Sequence, residues 1–134
     1  MPQHHLRPAG LPPVNGYSHV ISFSGQMAVV SGQLPLDAYG ELVGQDDPRE
    51  QARQVFENLS TALAAVGAEV RDIVKITVYV TDLADLEEFR LARDEYISRE
   101  HPPASSLVQV GGLVHPGARI EIDALAVIRP APTA

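Results

Sequence analysis

Two stretches of the chain alternate apolar and polar residues with a period of two, which is the signature of a half-buried strand. In Asp72–Thr81, Val74, Ile76, Val78 and Val80 share one side, and Ile73, Lys75, Thr77 and Tyr79 share the other. In Arg119–Val127, Ile120, Ile122, Ala124 and Ala126 fall on one side, and Arg119, Glu121 and Asp123 on the opposite one. A further strand, Ser105–Val110, enters from a loop containing Pro102 and Pro103. It is joined to Arg119–Val127 by a segment holding Gly111, Gly112, Pro116 and Gly117, residue types that break strands and favour turns. Elsewhere the period is helical. Ala52, Val55, Phe56, Leu59, Ala62, Leu63 and Val66 form one stripe, with Asp47 as N-cap, Pro48 in the first turn, Glu50 at capping-box spacing and Gly67 as the stop. A second helix is predicted to start at Asp85, with Glu88 three residues on and Leu86, Phe89, Arg93, Tyr96 and Ile97 facing inward. Arg93 interrupts that stripe.

Ahead of these elements, residues 1–16 read as a loop with Pro8, Pro12 and Pro13, ending in Asn15-Gly16. A hairpin is predicted next, with strands His19–Ser24 and Met27–Ser31 around the turn Ser24-Gly25-Gln26. The tail at 129–134 is proline-rich and expected to be frayed. The order β-β-α-β-α-β-β places each helix between two strands, where right-handed crossovers lay both helices on one face of one sheet. The expected architecture is a single α+β domain over residues 1–134, with a mixed sheet of about five to six strands. Its other face is expected to carry Lys75, Thr77, Tyr79, Ser105, Gln109, Arg119, Glu121 and Asp123, interspersed with Leu107, Leu125 and Val127. That face is too apolar to leave wholly in water, so it is predicted to pack against copies of itself, with clefts at the subunit seams.

Charge and composition narrow the partners. The net charge of -7, with no basic run, argues against nucleic acid, which is bound through clustered Lys and Arg. No run approaches the roughly 18 apolar residues of a membrane helix. The start MPQHHLRPAG has no apolar signal-peptide core, so no membrane association and a cytoplasmic setting are expected. Cysteine is absent, and the five histidines show no metal-ligand spacing, so neither a metal nor a cofactor is expected.

Glu121 is the leading candidate for chemistry because it stands between Ile120 and Ile122. Partial burial there would raise its pKa and suit general acid/base work, whereas an ion pair to Arg119 or Lys75 would make it structural. Gly32, in Ser31-Gly32-Gln33, marks either close backbone approach by a ligand or a bulge. Tyr17 either meets a ligand or covers the edge of the core. Asp123 reads as structural. Ser105 and Ser106 have no recognisable His-Asp partners, which argues against nucleophilic catalysis.

Gly16-Tyr17, VVSGQLPLD at Val29–Asp37, QARQVFENL at Gln51–Leu59, DIVKITVYVTDL at Asp72–Leu83, PPASSLVQV at Pro102–Val110 and IEIDALAV at Ile120–Val127 occur in a telling order. Together they resemble the RidA family, also called YjgF, of reactive-imine deaminases, some of which carry an endoribonuclease label. The resemblance implies a chorismate-mutase-like sheet bearing two helices, assembled as a homotrimer with a small-molecule cleft at each subunit boundary. Its deaminases add water to an imine or enamine derived from an amino acid, releasing ammonia and a 2-oxo acid. By position, Tyr17 would line the cleft, Ser31 and Gly32 its wall, and Glu121 would position or activate the water.

One departure stands out. The family's deaminases carry an arginine directly after Pro-Ala that clamps the substrate carboxylate; this chain has Ser105 there, and Leu107 where some members carry cysteine. A guanidinium binds carboxylate through two parallel hydrogen bonds, while a hydroxyl offers one neutral donor. Losing a charged hydrogen bond of roughly 1.5–3 kcal/mol costs about ten- to a hundredfold in affinity. Arg119, two residues before Glu121, is a candidate replacement. Three readings follow: an imine or enamine hydrolase, a non-catalytic binding module using the same clefts, and, least compatible with an acidic surface, a ribonuclease.

Overall fold

The computed structural model describes residues 2–130. Six strands are present: β1 (Gln3–His5), β2 (Val20–Ser22), β3 (Met27–Gln33), β4 (Ile73–Val80), β5 (Ala104–Gln109) and β6 (Ile120–Val127). Two helices, α1 (Pro48–Ala64) and α2 (Leu86–Tyr96), are joined to the strands by short 3-10 turns at Val70–Asp72 and Leu83–Asp85. The main sheet has the order β3-β6-β4-β5. β6 runs antiparallel to both β3 and β4, and β5 lies parallel to β4. α2 supplies the crossover between β4 and β5, and α1 carries the chain over β6 from β3 to β4. The expected α+β architecture, with two helices packed on a mixed sheet, is therefore present.

The alternation in the sequence decides which side of the sheet the helices cover. Ile76, Val78 and Val80 of β4 and Ile120, Ile122 and Ala126 of β6 are buried beneath Val55, Phe56, Leu59 and Leu63 of α1. Phe56 is the keystone between the helices. Its ring stacks on Tyr96 at 5.1 Å and on Phe89 at 6.3 Å.

α1 starts as its sequence requires, with Asp47 Oδ1 accepting from Glu50 N at 3.1 Å and Pro48 in the first turn. Beyond its end, Gly67 takes a φ of 74°. Gln51, fully buried, ties this helix to the loop before β6. Its Nε2 donates to Gly44 O at 3.0 Å and Gly117 O at 3.1 Å, and its Oε1 accepts from Arg119 N at 2.7 Å. Replacing Gln51 with Leu strands three backbone groups, so denaturant unfolding of Gln51→Leu should show a loss of about 3 kcal/mol. A loss below about 1 kcal/mol would mean that water reaches these groups.

Several sequence expectations are corrected. Residues 1–16 are not all loop, because β1 pairs antiparallel with β2 in a separate two-stranded ribbon. The predicted hairpin is therefore absent: β2 pairs with β1, while β3 pairs with β6 from Met27↔Val127 onward. Local turn chemistry was overridden by the longer apolar strand that β6 offers. β5 and β6 flank β4 and do not pair with each other. The register Ile76↔Ser105, Val78↔Leu107 and Val80↔Gln109 puts Ser105, Leu107 and Gln109 on the helix side of the sheet, not on the outer face. Asp85 precedes α2 but makes no side-chain cap, being bound to Arg119. Of the tail expected to fray, 131–134 lie outside the described residues, whereas Arg129 Nε stands 2.7 Å from the buried Asp72 Oδ1.

Candidate functional site

Two groups of the expected site residues form, on opposite faces of the sheet. The first surrounds Glu121. Between Val30↔Ala124 and Gln33↔Ile122 the β3–β6 register slips, leaving Ser31 and Gly32 as a bulge over Glu121. A Cβ on Gly32 would lie 2.8 Å from Glu121 Cδ and closer still to Oε2, so a larger residue here would push the carboxylate out of this position. Ser31 is exposed beside it.

Glu121 itself is half-buried on the outer face, between the fully enclosed Ile120 and Ile122. Across β4 it stands beside Tyr79. Tyr79 Oη donates to Asp123 Oδ2 at 3.0 Å. That hydrogen bond, with burial and the charges of Asp123 and Glu121, raises the phenol above its ordinary pKa. Asp123 thus has the structural role expected of it. Lys75 Nζ is turned to Ser106 Oγ at 2.7 Å. Arg119 gives Nε and Nη2 to the two oxygens of Asp85 at 2.8 and 2.9 Å. Among the described residues no cation pairs with Glu121.

The second group lies under the sheet's β5 edge. Tyr17, Ser105 and Leu107 line a cavity of about 240 Å³ with Asn15 and, from α2, Leu86, Phe89, Arg90 and Arg93. Tyr17 is held by an edge-on contact with His19, with ring centres 5.5 Å apart. Arg93, the residue that broke the apolar stripe of α2, is buried and fully engaged. Its Nε donates to Asp94 Oδ1, and Nη1 and Nη2 donate to Asn15 O and Oδ1, each at 3.0 Å. The guanidinium lies flat against Gly16, whose φ is 70° and whose missing Cβ would fall 2.7 Å from Nε. Asn15-Gly16 is therefore a guanidinium seat that presents Tyr17 to the cavity.

Arg119 belongs to neither group. The paired Asp85 raises its pKa further, and it faces a separate cavity of about 320 Å³ with Gly111, Gly112 and Pro116. Arg93 is buried on the inner face where the sequence placed it, but its role, the buried Gln51 and the cavity-lining Arg90 were not recognised from sequence. For Arg93 the hint was a charge standing in an otherwise apolar helical stripe.

Within one chain, Glu121 on the outer face cannot reach the cavity under Ser105 on the helix face. The sheet itself separates them. The family profile described as Endoribonuclease L-PSP matches residues 8–128. The chain belongs to that family. A 2-iminobutanoate/2-iminopropanoate deaminase of Salmonella typhimurium is 38% identical over 107 residues, covering 78% of this chain and 82% of the relative. The 3-aminoacrylate deaminase RutC of Acinetobacter baylyi is 33% identical over 126 residues, covering 94% and 98%. The crystal structure of YyfB from Yersinia pestis, a Rid-family protein described as of unknown function, superposes with a TM-score of 0.85 at 31% identity, covering 95% of this chain and 98% of that one. The resemblance to the Rid, or YjgF, family read from the motifs is thus established. No helix among the described residues is long and apolar enough to cross a membrane.

Proposed function

We propose that this Rid-family protein hydrolyses a small carboxylate-bearing imine or enamine, in clefts closed by neighbouring copies of the chain in a homotrimer. The observation that carries the reading is Glu121: a half-buried carboxylate that pairs with no cation among the described residues, lying under a bulge where Gly32 leaves it room. A carboxylate whose charge no neighbour neutralises is available to take a proton. As water oxygen adds to the imine carbon, Glu121 accepts a proton from the water and delivers it to the nitrogen. Glu121 then carries the hydroxyl proton of the carbinolamine to its nitrogen, ammonia leaves as the C–N bond breaks, and an oxo acid remains. An enamine enters the same sequence after protonation at carbon.

Two further observations support this arrangement. Glu121 and the Ser105–Tyr17 cavity lie on opposite faces of one sheet, so a second subunit is the simplest way to bring them to one substrate. The relatives named as deaminases act, by those names, on 2-iminobutanoate, 2-iminopropanoate and 3-aminoacrylate, small molecules that each carry a carboxylate. The net charge of -7 supports such an occupant over RNA.

The test is a panel of imines generated in place by an amino-acid oxidase, with ammonia release followed against the uncatalysed rate. Acceleration is expected for at least one imine, together with a trimer mass by sedimentation. Gly32→Ala should keep that mass and lower turnover by about a hundredfold, because its Cβ displaces the carboxylate without touching the core. No acceleration with any imine would leave a binding module.

A further inference from the structure

The cavity under β5 is lined from the strand by Ser105 and Leu107 and from α2 by several longer side chains. Ser105, on the strand side, provides only a hydroxyl, but two arginines enter the same cavity from α2. Arg93 is pinned through all three nitrogens to Asn15 and Asp94, and the Asp94 carboxylate already meets its charge. Arg90 is different. Its side chain is two-thirds buried, at 33% exposure, and only Nη1 is engaged, with Glu87 Oε1 at 2.9 Å. Glu87 is on the solvent side at 74% exposure, so this contact fixes the guanidinium without neutralising it strongly. Among the described residues, Nε and Nη2 of Arg90 donate to nothing.

The remaining lining explains the selectivity such a group would have. Leu86, Phe89 and Leu107 are apolar, while Tyr17 and Ser105 bring hydroxyls. A cavity of about 240 Å³ suits a ligand of a few carbons. Apolar walls strengthen an ion pair formed between them, and two adjacent N–H groups on a planar fork match the two oxygens of a carboxylate. We infer that Arg90 is the anion-binding residue of this cavity, gripping the carboxylate of a short aliphatic acid from α2 in place of a clamp on β5. The inference rests on the carboxylate-bearing substrate class proposed above and names the residue that recognises it.

Calorimetric titration of the full-length protein with 2-oxobutanoate and with its uncharged amide, 2-oxobutanamide, tests this. The wild-type protein should bind the acid roughly ten- to a hundredfold more tightly than the amide. Arg90→Gln should bind the two alike at an unchanged melting temperature, because only a surface contact with Glu87 is lost. Arg71→Gln, which removes a surface arginine paired with Glu69 outside the cavity, should keep the preference. The assignment is overturned if wild-type protein binds acid and amide alike, or if the preference survives in Arg90→Gln. Loss of preference in Arg90→Gln, beside a wild-type protein that hydrolyses no imine, would uphold Arg90 as the clamp and bring down the hydrolytic reading alone.

Discussion

Glu121→Gln should abolish imine hydrolysis while leaving assembly and thermal stability almost unchanged. The amide keeps the shape of the side chain beneath Gly32 but has no basic oxygen to accept a proton from water. General base catalysis contributes about 10²–10⁴-fold, and the Glu121 carboxylate is the group that lies against the bulge at Gly32. Asp123 is two residues along the strand and already accepts from Tyr79. Because Glu121 makes no ion pair among the described residues and Gln keeps its shape, the replacement breaks no salt bridge. Ammonia release, sedimentation and a melting curve on the same preparation decide the matter. Retained turnover would show that the water is activated elsewhere, and lost assembly would make Glu121 a subunit contact.

The largest effect on stability should come from Phe56→Ala. Its ring is fully buried and stacked between Tyr96 and Phe89, and it joins α1 to α2 above the sheet. Truncation leaves a cavity that the two packed helices cannot close, at a cost of about 4 kcal/mol. With native stabilities of about 5–15 kcal/mol, that is a large fraction of the whole. A fall in melting temperature of roughly 10–20 °C follows for a chain of this size. The same substitution loosens the seating of α2, so acid-over-amide selectivity should weaken below the melting transition as well. A fall of only a few degrees would show that Tyr96 and Phe89 close the gap.

The helix termini and the two central strands were legible because their signals are local. Asp47, Pro48 and Glu50 act within one turn, and the alternation in β4 and β6 assigns each residue to a face before any partner is known. Strand pairing was not legible, because a short strand such as β2 takes the partner that buries most backbone and side chain. Turn residues at 24–26 do not determine that choice. Ser105 shows the same limit from the other direction. Its face depends on the parallel register with Ile76, which the crossover through α2 fixes.

For the site, sequence alone determined that Glu121, Gly32 and Tyr17 deserved interest, that the family arginine is missing, and that the protein is acidic. Alternation and residue type are sufficient for Glu121, Gly32 and the charge, whereas the missing arginine and the cleft role of Tyr17 follow from the resemblance to the family. Only the tertiary structure decided that Arg119 is held by Asp85, that Arg93 is seated on Asn15-Gly16, and that Arg90 reaches the cavity where Ser105 stands. Those outcomes depend on distances between segments separated by tens of residues, where hydrogen-bond geometry and burial choose each cation's partner. The charge types were written in the chain, but their pairing was a property of the fold.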